Sequence, residues 1–182
     1  MRLTRSDVVR RLKNGSVEPY SLPRDFRQLR FNRAHRLEHP SARADDYGPW
    51  LALWRGYCAA LGGEVSEAIT EGVWHRILAA DQPLGCLLAC PGQGTPVGLA
   101  NYVLHFHTWS LRTICYLEDL FVRPEARGTG AGRALVEGLV ALGKEQGWRR
   151  VYWHTHENNY GARMLYDRLI PRTDYVRYDI DL

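Results

Sequence analysis

Two neighbouring carboxylates, Glu118 and Asp119, interrupt the otherwise apolar run "YLEDLFV", and the glycine-rich stretch "RPEARGTGAG" follows at once. A carboxylate in a half-buried strand loses its hydration, so it calls for a partner or a proton-transfer task. An outward-facing strand carboxylate or a buried ion pair is the plainer alternative for Glu118; Asp119 points the opposite way in a regular strand, and a bulge would bring both to one side. Gly128, Gly130 and Gly132 then open a helical pattern. At a helix N-terminus the first N–H groups lack intrahelical partners and the dipole end is positive, while glycines let an anion reach the backbone. The turn therefore reads as an anion cradle, with a tight ligand-free turn as the alternative. Further on, "WHTHENN" sets His154 and His156 two residues apart. In a strand that spacing shares a face and suits substrate contact, proton relay or simple packing. Two ligands do not make a zinc site, and no metal is expected.

Two familiar phosphate cradles do not fit. The P-loop needs a lysine directly after its last glycine, whereas Lys144 is the nearest one, and the dinucleotide fingerprint needs a third glycine where Leu135 stands.

The elements that must position these groups show in the periodicity. Asp45 or Asp46 can cap a first helix, with Pro49 in its first turn and Trp50, Leu53, Trp54, Tyr57, Cys58 and Leu61 at helical spacing up to Gly62-Gly63. A second helix starts near Ser66 or Thr70, aligns Val73, Trp74, Ile77 and Leu78, and ends before Pro83. Strands are predicted over Leu84 to Cys90, Val97 to Phe106 and Arg112 to Val122, as an antiparallel meander. The helix behind the glycines closes at Gly147; a strand from Arg150 to His154, a helix from Asn159 to Leu169 and a last strand from Tyr175 to Asp181 complete the chain. Strands alternating with helices predict a mixed α/β sheet with helices on both faces.

With 182 residues, 45% of them hydrophobic, one core-forming domain is expected, here residues 44–182 behind a basic extension, 1–43. That extension holds 11 basic side chains against Asp7, Glu18, Asp25 and Glu38. The net charge of +4 is thus a property of the extension, and the remainder is acidic. Nucleic-acid binding is not expected, because no aromatic platform accompanies the arginines. Neither a membrane span nor a secretory signal is visible, which makes a cytoplasmic protein the expectation. Cys58, Cys86, Cys90 and Cys115 show no metal-knuckle spacing and read as reduced thiols.

The order strand, "RPEARGTGAG", helix resembles the RxxGxG acyl-CoA motif of the GNAT superfamily of N-acetyltransferases, with Arg127, Gly130 and Gly132 in the defining places. "YLEDLFV" is similar to the preceding strand of the polyamine (spermidine/spermine-type) acetyltransferases. "NNYGARMLYDRL" resembles the family's late helix, with Asn159 and Tyr166 seven residues apart. The resemblance extends from about Asp45 to Leu182 and departs where "LYDRLIPRTDY" replaces a frequent Gly-Phe.

The resemblance implies a sheet of about six to seven strands and acetyl-CoA as co-substrate. Backbone N–H groups of Arg127, Gly128, Thr129, Gly130, Ala131, Gly132 and Arg133 would then hold the pyrophosphate. Main-chain groups of Leu120, Phe121 and Val122 would meet pantetheine, and Asn159 would bond its amide while capping the late helix. Glu118 would take a proton from the attacking amine, directly or through water, and Tyr166 would return one to the leaving thiolate; on periodicity alone Tyr166 reads as core. The acceptor, a small polyamine-like or amino-acid-like primary amine, is expected to meet Asp46, Tyr47, Glu118, His154 and His156. The Trp50, Trp54, Tyr57 stripe reads more readily as core than as a cation cage. A protein amine, an aminoglycoside, or a non-catalytic acyl-CoA sensor stay open as alternatives. Many relatives dimerise through their last strands, so a homodimer through "YVRYDIDL" is expected by analogy.

Overall fold

The computed structural model describes residues 41–92 and 94–182. The basic extension therefore lies, up to residue 40, outside the described residues.

Among the described residues two helices come first, α1 over Tyr47–Ala60 and α2 over Glu67–Leu78, behind a 3-10 turn at Ala44–Asp46. Ser66 caps α2, its side chain accepting from the Ile69 N–H at 3.3 Å, which satisfies one of the orphan donors of the first turn. The meander follows as β1 (Leu84–Ala89), β2 (Gly98–His107) and β3 (Ser110–Val122), each antiparallel to the one before. Helix α3, Ala131–Glu145, then returns the chain to β4, Val151–Tyr152, which runs parallel to β3; helix α4 spans Tyr160–Leu169. The result is a mixed sheet in the order β1-β2-β3-β4.

Gly147, at φ +70°, ends α3 in a left-handed turn. The Trp148 N–H reaches back to the Gly143 carbonyl at 2.8 Å and the Gly147 N–H to the Lys144 carbonyl at 3.3 Å, the paired bonds of a Schellman cap. Gly143 has to be glycine for a different reason: a Cβ there would lie 2.8 Å from the Trp148 ring.

The sheet separates two cores. On one face Leu87, Ala100, Cys115 and Leu117 meet Leu135, Val136 and Leu139 of α3. On the other Cys86, Leu88, Leu99 and Phe121 meet Trp50, Leu53, Trp54 and Trp74 of α1 and α2. Gly56 lets α1 settle on the Phe121 ring, which a Cβ would approach to 3.0 Å.

The expected count of six to seven strands is corrected to four among the described residues. Two strands read from the sequence differ in the structure. The strand expected over Arg150 to His154 is paired only at Val151 and Tyr152, so His154 and His156 lie in the loop beyond it. Tyr175 to Asp181 forms no strand, and residues 171–182 are exposed throughout. Alternation gives a strand a face but not a neighbour, and a two-residue β4 offers almost no ladder for a further strand to join.

Candidate active site

β3 carries an irregularity where the chemistry is expected. Asn101 of β2 faces Asp119, but Tyr102 faces Leu117, so Glu118 is an extra residue in a β-bulge. Before the bulge Cys115 and Leu117 point to the α3 core; after it Leu120 and Val122 do so, while Phe121 points to the α1 side. The alternation therefore slips by one residue, and Glu118 and Asp119, which a regular strand would set on opposite faces, are both turned toward α1.

The two carboxylates differ in surroundings. Asp119 is half-buried and accepts from Asn101 Nδ2 at 3.0 Å and from the Tyr57 hydroxyl. Burial pushes its pKa above the usual carboxylate range, and those two hydrogen bonds oppose the rise. Glu118 is exposed; partial desolvation, then the charge of Asp119, raises its pKa, against a lowering pull from Arg177. Tyr57 is pushed up in turn by its burial and by both acids. Tyr116 and Tyr152, opposite each other in parallel register with ring centroids 5.1 Å apart, complete this surface. The Tyr116 hydroxyl lies 3.3 Å from His154 Nδ1, and the Tyr152 hydroxyl 2.9 Å from His105 Nε2.

Beside this acidic surface the sheet opens. β3 and β4 pair only through Cys115 with Val151 and Tyr116 with Tyr152, so among the described residues no strand lies beside the edge of β3 beyond Tyr116, including Leu120, Phe121 and Val122, on that side. The glycine turn stands at the far end of this edge. Gly128 and Gly130 hold φ of +78° and +98°, a region in which side chains are strained. Ala134 is the first residue of α3 whose N–H bonds within the turn of helix, to the Gly130 carbonyl, so the N–H groups of Ala131, Gly132 and Arg133 face out of the helix end. Arg127 acts as a staple: its Nε donates to the Val122 carbonyl at 3.2 Å and its N–H to the Pro124 carbonyl. Thr129 Oγ1 donates to the Ala126 carbonyl at 2.7 Å, and Arg133 pairs with Glu137 along α3 at 2.7 Å.

Across the opening stands α4. Asn159 caps it, Oδ1 accepting from the Ala162 N–H at 3.3 Å. Gly132 touches this helix, since a Cβ there would meet the Leu165 side chain at 3.3 Å. Tyr166, the next residue, rests on the Trp153 ring with centroids 5.2 Å apart, and burial raises its pKa. It is a phenol that keeps its proton at neutral pH.

The structure thus gathers Glu118, Asp119, Tyr57 and His154 on one side of the opening and the glycine turn, Asn159 and Tyr166 on the other. Asp46 and Tyr47 make their contacts elsewhere. Asp46 Oδ2 accepts from the Arg43 N–H at 2.7 Å, and Tyr47 lies against Trp50 and Trp74. His156 is exposed, its carbonyl accepting from the Asn159 N–H. Asn101 escaped the sequence reading although a lone amide in the apolar run "GLANYVL" was a signal; it is 1% exposed and its Oδ1 has no partner among the described residues. Tyr116 and Tyr152 gave no such signal, because their meeting depends on strand register.

A mixed sheet parted beside a glycine-rich helix start is the arrangement of a known group of proteins. The model of the acetyltransferase (GNAT) family matches residues 20–169, and the chain belongs to that family. Among curated proteins it is 30% identical over 134 residues to the D-amino-acid N-acetyltransferase HPA3 of Saccharomyces cerevisiae, covering 73% of this chain and 83% of the yeast one. It is 31% identical over 107 residues to the thialysine N-epsilon-acetyltransferase of Bos taurus, covering 57% of this chain and 59% of that one. Among solved structures, a probable acetyltransferase superposes with a TM-score of 0.70 at 19% identity, over 78% of this chain and 95% of the other. AAC(6')-Iy in complex with the bisubstrate analog CoA-S-monomethyl-acetylneamine superposes with a TM-score of 0.67 at 18% identity, over 78% and 95%. Among the described residues no helix is long and apolar enough to cross a membrane.

Proposed function

We propose that the protein is an acetyl-CoA-dependent N-acetyltransferase acting on the primary amine of a small, amino-acid-like or polyamine-like molecule. The observation that carries this reading is the bulge at Glu118, which turns two carboxylates to one face of the strand that leads into the glycine turn. Acetyl-CoA, when bound, supplies an activated thioester open to attack by an amine. The outward N–H groups of Ala131, Gly132 and Arg133, with the open approach at Gly128 and Gly130, suit its phosphates, and the unpaired edge at Leu120, Phe121 and Val122 suits its amide-bearing arm.

An alkylammonium acceptor has a pKa of roughly 10.4, so at neutral pH nearly all of it is protonated and unreactive. Glu118 Oε takes that proton, directly or through water. Its raised pKa makes it a better base than an ordinary carboxylate, and its exposure lets the proton leave to solvent. Asp119 keeps its neighbour's pKa up and adds the negative charge that draws a cation to this face. Tyr166 holds a proton at its hydroxyl for the departing sulfur. Asn159 orders the start of α4, and with it the placement of Tyr166.

The test is thiol release from acetyl-CoA against D- and L-amino acids, thialysine, polyamines, aminoglycosides and basic peptides. Turnover of small amines, reduced about 100-fold or more in Tyr166→Phe, is the expected result. Tight acetyl-CoA binding with no turnover of any acceptor would replace the enzyme with a sensor.

A further inference from the structure

Asn101 stands in β2 with Cys86 of β1 opposite it on one side and Asp119 of β3 on the other, and it is 1% exposed. Its Nδ2 donates to Asp119 Oδ2 at 3.0 Å, while Oδ1 has no partner among the described residues. An apolar side chain of similar size would fill the same place without an orphaned carbonyl. What the amide contributes must therefore lie in its one bond to Asp119.

That bond falls on the bulge. Ala100 faces Leu120 and Tyr102 faces Leu117, so two residues of β3, Glu118 and Asp119, compete for the single place opposite Asn101. With either of them as the extra residue, Leu117 and Leu120 stay on the α3 face and Phe121 on the α1 face, so the apolar pattern does not choose between them. Side-chain length does. Residues directly opposite in an antiparallel pair lie about 4.5–5.5 Å apart at Cα. Asparagine and aspartate, each with one methylene before its polar group, close that span at 3.0 Å. A glutamate in the same place is one methylene longer and has to fold back to meet the amide.

We propose that Asn101 is a positioning residue: by holding Asp119 opposite itself it makes Glu118 the extra residue of the bulge, left out of the β2–β3 ladder and free to turn its carboxylate to the acceptor amine. This rests on the reading of Glu118 as the base. It adds a side chain that touches neither acceptor nor cofactor and acts only through the register of β3.

The experiment compares the unaltered full chain with Asn101→Leu, which removes the donor, and Asn101→Thr, which keeps a donor and suits a strand. Cross-strand nuclear Overhauser contacts from position 101 are expected to reach Asp119 in the unaltered protein and in Asn101→Thr, and to divide between Glu118 and Asp119 in Asn101→Leu. In acetyl-CoA turnover kcat is expected to fall about 10- to 100-fold in Asn101→Leu, the size of effect that an ångström of misplacement produces, with KM changed less and partial recovery in Asn101→Thr. That fall should vanish when Asn101→Leu is placed in a Glu118→Gln background, because a residue acting through Glu118 then has nothing left to position. A general loosening of the core would cost the same in both backgrounds. Contacts that stay with Asp119 in Asn101→Leu, an equal fall in kcat with and without Glu118, or loss of acetyl-CoA binding by calorimetry in both variants overturns the proposal, leaving Asn101 a support of the core. Contacts that divide while kcat holds keep Asn101 as the register pin and overturn instead the reading of Glu118 as the base.

Discussion

The two faces of the sheet are built from different materials. The α3 face is mainly aliphatic, with Leu87, Leu117, Leu135 and Leu139 closing against one another beside the paired Tyr102 and Trp148 rings. The α1 face is aromatic, and polar groups are threaded through it: Trp54 Nε1 donates to Thr70 Oγ1 at 3.3 Å, and Asn101 and Tyr57 both reach Asp119. An aliphatic core asks for shape alone and can be stabilised by area, whereas each polar atom on the other face needs a partner or loses about 1–3 kcal/mol. The difference teaches where each task lies: one face holds the sheet and presents the glycine turn, and the other accommodates the polar groups around Glu118 and Asp119.

Substitutions on each face should break that division in opposite ways. Glu118→Gln should lower kcat/KM by about 10²- to 10⁴-fold with little change in melting temperature. In the unaltered protein, activity should fall as pH drops through a midpoint above the usual carboxylate range, because the raised pKa protonates the base early; the variant should lose that limb. An unchanged pH profile in Glu118→Gln would remove Glu118 from the reaction.

On the aliphatic face the effect should reverse. Leu135 is fully buried, and Leu135→Ala should destabilise the fold by about 2–5 kcal/mol in denaturant titration, with the pH limb kept. Gly130→Ala should be milder for the fold, about 1–2 kcal/mol, since a methyl group is forced to φ +98°, and calorimetry should show weakened acetyl-CoA binding. The smallest change sharpens the comparison most. Asp119→Asn removes a negative neighbour that raises the Glu118 pKa, so the acidic limb should move to lower pH. A limb that stays in place would mean that the two carboxylates titrate independently.

Local signals served the sequence reading well. Caps such as Ser66 and Asn159 and the stop at Gly147 act within four residues of themselves, and so does the strain that requires glycine in the turn. The meander was legible for the same reason, since short connections leave few ways to pair. Features that depend on a distant neighbour were not. The bulge exists only as a relation between Asn101 and Asp119, 18 residues apart, and nothing in "YLEDLFV" fixes which residue is the extra one. Tyr175 to Asp181 has a strand's alternation, but pairing requires an edge that β4 does not supply. Tyr116 meets Tyr152 through register, which leaves no mark in spacing.

The indole cluster beneath the carboxylates has an optical consequence. Trp50 and Trp54 are 7° from parallel with centroids 5.7 Å apart, and Trp74 lies 4.9 Å from Trp50. Transitions held so close and so fixed exchange excitation, and they should give a strong near-ultraviolet dichroic band that fades when the packing of α1 on α2 is lost. Trp54 also touches the Tyr57 ring, whose hydroxyl ends on Asp119. If the acceptor's charge arrives at that carboxylate, it should change the electric field along a short path into the chromophore, and the dichroic band is expected to shift on titration with acceptor.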